Sequence, residues 1–455
     1  NSSLLYIFFM KFDLESEKMI PAALFPLFME NYTAKAKNVL VAEADKFVLG
    51  LSSLVADHPK SNFYATAQDE EGVKRVKEVF CNQNPENFVN SDLYSRNFLR
   101  ESSLENFDFI LSSPDFGFRT LCSDSYFICR EPEMVALENL LYHLNKNGTL
   151  CIVVPGRITF SQGSIGNLRK HIQNHYKLEE IIELPKNVFL HTGIKTFMIK
   201  IKNAEPDNTP VSIKKYTFQN QSLVLDNQTQ ISLKELKELD SWNVERIFCG
   251  HSDEWKNFYN SPIPKVRLGD VAEIFRGKNV VGKTTSHMSA TKSLIGVINI
   301  SNIGEYKLND VNMDYIDETE RMVSRYILHD GDMLLPARGT TLRTSVFYSN
   351  VFSIPCIPSA NVMAIRPKPE KLNSVYLKIF LDSSFGRRLI NAVQQGIDIM
   401  NLNASDLENM IIPLPRIEQQ KIKAQQYERG LRQYQEAIDS AETLWKKTLS
   451  ELEQF

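Results

Sequence analysis

The sequence predicts a doubly wound α/β domain over residues 1–202, a separate α+β domain over 261–415, and a long C-terminal coiled-coil helix over 416–455. Three observations carry this reading. In the first part, short apolar runs alternate with amphipathic stretches, the pattern of strands and helices laid alternately into a parallel sheet. At Pro264 the pattern changes to short strands, Gly-rich turns and a helical segment, which reads as α+β. From Ile417 apolar residues recur in steps of three and four, the spacing of a heptad seam. With 455 residues the chain is also too long for one ordinary core, so two or three domains are expected.

In chain order, "NVLVAEA", "NFYATAQ", "FDFILSS", "TLCIVVPG" and "TFMIKIK" read as buried strands. "EEGVKRVKEVF" and "EMVALENLLYHLNKNG" read as helices, the second closed by a C-cap at Gly148. Ligands of such sheets sit at the carboxyl ends of the strands, so the tip after "FDFILS" is a candidate site. "NAEPDNTP" breaks the pattern, and residues 203–260 read as a linker with a small helical element. Beyond Pro264, "NSVYLKIFLDSSFGRRLINAV" reads as one helix. In the last helix Ile417, Ala424, Tyr427, Leu431, Tyr434, Ile438, Ala441, Trp445 and Leu452 form the seam, interrupted only by Gln420 and Thr448. A seam of about five heptads needs a second helix, from another chain or from a hairpin within this one.

Composition excludes several classes. A formal net charge of −3 is not that of a protein that coats nucleic acid without selectivity, so DNA contact would rest on local patches. The six cysteines are scattered without a CxxC pair, which argues against zinc and disulfides and for a reducing cytoplasm. No metal site is expected: His143, His191, His251 and His329 show no ligand spacing. No apolar run is long enough to span a membrane. "GKNVVGKT" (277–284) matches the phosphate-loop pattern, but the Ser/Thr-rich "TSHMSATKSL" is a poor helix start, so nucleotide hydrolysis is not expected.

The most informative stretch is "FDFILSSPDFGFRT", in which a buried strand breaks into Ser113-Pro114-Asp115-Phe116. Alone, the tetrapeptide suits a plain strand-end turn. A side-chain oxygen and a backbone carbonyl beside a proline can also accept both hydrogens of an exocyclic amine, while an aromatic ring stacks on an extruded base.

With the residues around it, the first part resembles the gamma-class adenine-N6 DNA methyltransferases, the modification subunits of type I restriction-modification systems. "YATAQDEEGVKRVKEVF" and "NSDLY" resemble that family's second and third strands, and the stretch 138–202, with "LPKNVFLHTGIKT", resembles it throughout. The resemblance implies S-adenosylmethionine as cofactor, with Asp69 (or Glu70) and Asp92 holding its ribose and adenine and Glu43 and Asp45 at the first-strand loop. It implies catalytic roles for Ser113, Pro114, Asp115 and Phe116, where the family has Asn-Pro-Pro-Phe or Tyr. The family's first strand ends in a glycine-rich loop whose small residues admit the methionine part of the cofactor. Here "VAEADKFVLGLSSL" offers only Gly50, and Lys46 and Phe47 fill positions that need space, so weak or absent cofactor binding is expected.

The second part, over 264–425, resembles one target-recognition domain of a type I specificity subunit, carried by "VRLGDVAEIFRGKNV", "ILHDGDMLLPARGTTLRTSVF" and "LNASDLENMIIPLPRIEQQKI". This implies double-stranded DNA as partner. Arg276, Lys278, Lys283, Arg338, Thr340, Thr341 and Arg343, on Gly-rich turns, are its candidate contacts. A single such domain with a coiled-coil helix implies a homodimer on a divided site, or a hetero-oligomer with restriction-system subunits. The function expected is sequence-specific DNA recognition with an S-adenosylmethionine-dependent adenine-N6 methyltransferase domain. The alternative is a catalytically inactive recognition or scaffold subunit.

Overall fold

The computed structural model describes residues 19–30, 32, 36–80, 87–99, 106–116, 125–186, 188–189, 194–220, 222–280, 294–339, 341–393 and 400–452. The chain divides into two compact units, Asn1–Phe248 and Cys249–Phe455.

The first unit is built on nine strands: β1 (Asn38–Ala42), β2 (Asn62–Ala67), β3 (Phe88–Asn90), β4 (Phe107–Ser112), β5 (Leu144–Pro155), β6 (Lys177–Glu183), β7 (Thr196–Lys202), β8 (Val211–Gln219) and β9 (Ser222–Ile231). They lie in the order β3-β2-β1-β4-β5-β7-β6-β8-β9. β1 through β4 and the β4–β5 pair are parallel, as expected of strands joined by crossovers. The sheet is not parallel throughout: β7 runs antiparallel to β5 and β6, and β9 antiparallel to β8. β1, β4 and β5 are fully buried at their carboxyl ends, which is why they read as unbroken apolar runs. The chain lays β1, β2 and β3 outward one way and then returns to set β4 on the other flank of β1. Between the carboxyl ends of β1 and β4 lies the switch point where doubly wound sheets hold ligands.

The covering helices are α1 (Val48–Asp57), α2 (Glu70–Val79), α3 (Pro132–Tyr142) and α4 (Ser164–His175). α2 starts where Asp69 caps it, its carboxylate accepting the Gly72 N–H at 2.7 Å. α3 stops earlier than the sequence suggests. Leu144 already pairs with Phe107 in the sheet, and Asn147 takes the left-handed turn at φ 65°. Gly148 is therefore a strand residue and not a helix cap; a Cβ there would sit 2.6 Å from the Phe107 carbonyl oxygen.

The linker expected over 203–260 needs correction. Residues 211–219 and 222–231 are β8 and β9, the edge of the sheet. β9 is exposed along most of its length, so it carries polar residues and reads as a polar strand of a linker, not as part of the sheet. After it come α5 (Leu233–Glu238) and α6 (Val244–His251), separated by Asp240 at φ 50° and by the buried Trp242, whose backbone N–H donates to Thr159 O at 2.7 Å.

The second unit contains α7 (Asp253–Asn260), β10 (Lys265–Arg267), β11 (Ala272–Arg276), β12 (Leu294–Ile298), β13 (Asp314–Asp317), β14 (Met333–Pro336), β15 (Arg338–Gly339), β16 (Ser345–Val346), β17 (Cys356–Pro358), β18 (Val362–Pro367), β19 (Met400–Asn401) and β20 (Ile411–Pro413). Its strands form a four-stranded sheet β11-β18-β14-β16, a three-stranded sheet β13-β12-β17 and two ribbons, β10-β20 and β15-β19. The single helix expected over 373–393 is two, α8 (Ser374–Asp382) and α9 (Ser384–Val393), because Ser383 is extended at ψ 156°. Gly386 permits the close turn; a Cβ there would lie 2.0 Å from Phe380 O.

α10 (Ile417–Leu452) is one continuous helix, as expected. Its first turns pack on the second unit, where Ala424 joins Val346 and Val375 in a small apolar cluster. Gln420, an interruption of the seam in the sequence, is buried here. It donates to Lys371 O and Pro415 O and accepts the Asn373 N–H. Trp445, Leu449 and Leu452 are exposed.

Candidate functional site

The crevice between β1 and β4 is built from three segments. β1 ends at Ala42, and the chain leaves it through Glu43, fully buried and held at φ 56°. That left-handed conformation costs a non-glycine residue about 1–2 kcal/mol. It is held by the Glu43 N–H, which donates to Thr66 Oγ1 on β2 at 3.2 Å. The next turn carries Asp45 and Lys46. From the other side comes the loop Ser113-Pro114-Asp115-Phe116, in which the first three residues are buried and Phe116 is half-buried. The Phe116 ring meets Phe189 edge-on at 6.2 Å.

Lys46 joins the two sides. Its Nζ is paired with Glu43 Oε2, lies 2.7 Å from Asp115 Oδ1, and donates to Ser113 O at 2.9 Å. An ammonium has three protons, and these three acceptors use them all. Tyr94 and Gln68 complete the network. The Tyr94 hydroxyl donates to Glu43 Oε1 and accepts the Asp115 N–H, both at 2.8 Å. Gln68 Nε2 donates to Glu43 Oε1 at 2.6 Å and to Asp115 Oδ2 at 3.3 Å.

The electrostatics follow from burial and pairing. Burial pulls the Lys46 ammonium down, but Glu43 and Asp115 reverse that, and its pKa stands above the ordinary 10.5. Burial raises Asp45, with Lys46 opposing, and Asp45 Oδ1 is buried without a hydrogen-bond partner among the described residues. Burial and then the two carboxylates push the Tyr94 phenol upward, so its hydroxyl stays protonated and remains a donor.

The site residues expected from the sequence are thus brought together in part. Glu43, Ser113 and Asp115 meet at Lys46, with Pro114 and Phe116 on the same loop, while Asp45 lies beside Gly72 of α2. Asp69 is occupied in capping α2, and Asp92 accepts the Tyr94 N–H at 2.9 Å while remaining exposed. Phe47, expected to crowd the site, instead enters the core against Phe25 and Phe28. Gly50 serves that packing, since a Cβ there would meet the Phe25 ring at 2.2 Å. Tyr94 and Gln68 were not foreseen. The residues do not fit the methionine part of S-adenosylmethionine. Where that group needs small residues and open backbone, the crevice holds a lysine stem and a buried glutamate, tied by a closed hydrogen-bond network.

In the second unit, Arg276 ends β11 and donates Nε–H to Ala360 O at 2.6 Å. Arg338 follows β14 and is exposed. Burial, and then the charge of Arg338, hold the Arg276 guanidinium below its ordinary pKa. Thr341 and Arg343 are exposed on the same turn. Lys278 is paired with Glu318. Lys283 and Thr340, and with Lys283 the second half of the phosphate-loop pattern, lie outside the described residues. No group of side chains suited to a metal ion occurs among the described residues.

Residues 82–267 match the family model described as N-6 DNA Methylase, and residues 260–441 match that described as Type I restriction modification DNA specificity domain. The first match takes in Asp92 and Ser113–Phe116 and begins after Glu43, Asp45 and Asp69. Among solved structures, the chain is similar to the type I restriction-modification system methyltransferase subunit from Streptococcus thermophilus, at 17% identity over 50% of this chain and 56% of that one, TM-score 0.40. It is similar to the type IIG restriction endonuclease BpuSI at 12% identity over 87% of this chain and 59% of that one, TM-score 0.46. It is similar to the HsdS subunit from Thermoanaerobacter tengcongensis at 16% identity over 48% of this chain and 55% of that one, TM-score 0.30. The chain spans less than two thirds of the length of each.

Proposed function

From the premise that this chain joins an N-6 DNA methylase domain to a type I restriction-modification DNA specificity domain, we propose that it is a DNA-recognition component of a restriction-modification system. The observation that carries the reading is the Arg276–Arg338 pair. Arg276 pairs with Met363 and Pro336 with Val362, so Arg276 and the turn that carries Arg338 stand at the same end of the four-stranded sheet, where two guanidiniums suit a DNA phosphate or a guanine edge. Arg343 and Thr341 extend the same polar turn, while Lys278 is already neutralised by Glu318.

Double-stranded DNA is the ligand, and other subunits of the system are the partners. The exposed seam of α10 pairs with a second helix, in another copy or another subunit. No helix among the described residues is long and apolar enough to cross a membrane, and this role places the protein in the cytoplasm. S-adenosylmethionine is the cofactor that an N-6 methylase domain brings with it, but the crevice does not fit it. In this reading the domain serves as a scaffold that carries the Ser113–Phe116 loop.

Selection of duplexes from a random pool by the full chain tests the reading. It is expected to enrich a defined sequence, and Arg338→Ala should reduce the slope of log K against log salt by about one. Equal binding of every duplex, or no binding by a folded chain, would overturn it.

A further inference from the structure

We propose that Lys46 is a built-in substitute for a cationic cofactor: its ammonium closes the β1–β4 crevice to S-adenosylmethionine and holds the Ser113–Phe116 loop in place without a ligand. This rests on the methylase-fold reading of the first unit and not on the DNA-recognition role of the second.

The position comes first. In a doubly wound sheet the ligand enters where neighbouring strands diverge at their carboxyl ends, and here that place is between β1 and β4. Lys46 is 5% exposed and its amine bridges those two strand ends. A sulfonium and an ammonium carry the same single positive charge. The carboxylates that could face a bound sulfonium, Glu43 and Asp115, are already answered by Lys46.

Closure comes second. Glu43 uses Oε1 for Tyr94 and Gln68 and Oε2 for Lys46; Asp115 uses Oδ1 for Lys46 and Oδ2 for Gln68. To admit a ligand the lysine would have to leave, stranding two buried carboxylates. The neighbouring space is also taken. A Cβ on Gly72 would already lie 3.0 Å from Ala67 Cβ and 3.4 Å from Asp45 Cγ, so α2 sits tightly over the end of β2.

Order comes third. In a ligand-dependent site the loop after β4 would be ordered by what binds. Here Lys46 holds the Ser113 carbonyl and the Asp115 carboxylate, and Tyr94 holds the Asp115 N–H. The loop is therefore fixed by the chain itself.

Titration calorimetry and amide hydrogen exchange on the full chain test this. S-adenosylmethionine added to the wild-type chain is expected to give no saturable heat and to leave exchange at residues 113–116 unchanged. Lys46→Met, which keeps the volume and removes the charge, should speed exchange at the Asp115 amide at least tenfold while β5 stays protected. Tyr94→Phe is the gentler variant, used if Lys46→Met unfolds the unit, and should speed the same amide. Stoichiometric binding of S-adenosylmethionine to the wild-type chain would overturn the proposal, and so would unchanged Asp115 exchange in both variants. Selection of a DNA sequence by the same preparations reports separately on the recognition role.

Discussion

Removing the charge of Lys46 should be among the most destabilising substitutions in the first unit. In Lys46→Met the stem still fills the crevice, so no cavity opens. What is lost is the partner of two buried carboxylates, since Glu43 is fully buried and Asp115 is 9% exposed. Breaking a buried pair from one side costs about 3–5 kcal/mol, because the remaining charge stays buried and unanswered. For a unit of this size each kcal/mol lowers the midpoint by about 2–4 °C, so the expected fall is roughly 6–20 °C. Asp115→Asn alone should cost less, about 1–3 kcal/mol, because Lys46 keeps Glu43 and Ser113 O. The double variant Lys46→Met/Asp115→Asn is the decisive one. With no ammonium to satisfy, the Asp115 charge is a liability, and removing it should recover part of the loss. The combined effect should fall short of additivity by about 0.5–3 kcal/mol. Calorimetry of the full chain measures this, with the transition of the unsubstituted second unit as the control. Additive losses would mean that Lys46 and Asp115 do not act on each other, and the latch would be an accident of proximity.

The same ammonium sets a pH signature. Burial lowers the Lys46 pKa and Glu43 and Asp115 more than restore it, so the folded value lies above the unfolded one. Stability from such a group is complete below the unfolded value and is lost as pH rises through the folded one. The wild-type advantage over Lys46→Met should therefore persist to about pH 10.5 and decline only above it, as denaturation profiles of the two proteins would show. In the second unit, Gln420→Ala leaves the Asn373 N–H and the Lys371 and Pro415 carbonyls without their partner, and should lower that unit's stability by roughly 2–3 kcal/mol in the same calorimetry. On α10, Trp445→Glu alters a residue that is 60% exposed and should leave the melting temperature unchanged. If the seam pairs with another helix, it should shift sedimentation velocity toward the monomer; an unchanged distribution would remove Trp445 from any such contact.

Much of the fold was legible because burial leaves a plain record. β1, β4 and β5 are apolar because both faces are covered, and α10 is periodic over its full length. What escaped was set by partners that local patterns do not carry. β9 is polar because it lies at an exposed edge, so it reads as a polar strand within a linker and its place in the large sheet is not legible. The break at Ser383 occurs within a sequence read as one helix, where the close turn at Gly386 decides the path. Gln420 read as a flaw in a seam, yet its amide ties three backbone groups of its own unit.

The candidate site shows the same limit in a sharper form. Lys46 in place of a small residue and Asp115 in place of a proline each look, one at a time, like decay of a binding site. Their charges are opposite, and the fold sets them 2.7 Å apart. A lysine alone in that crevice would lose its charge to burial, and an aspartate alone would gain a proton. Together each answers the other, and Glu43, Tyr94 and Gln68 complete the network. Beside it Asp45 Oδ1 is left without a hydrogen-bond partner among the described residues, but the five side chains that tie β1 to the loop after β4 pair with one another. That network gives the Ser113–Phe116 loop a fixed position, which is what a scaffold needs from it once a bound cofactor no longer supplies that order.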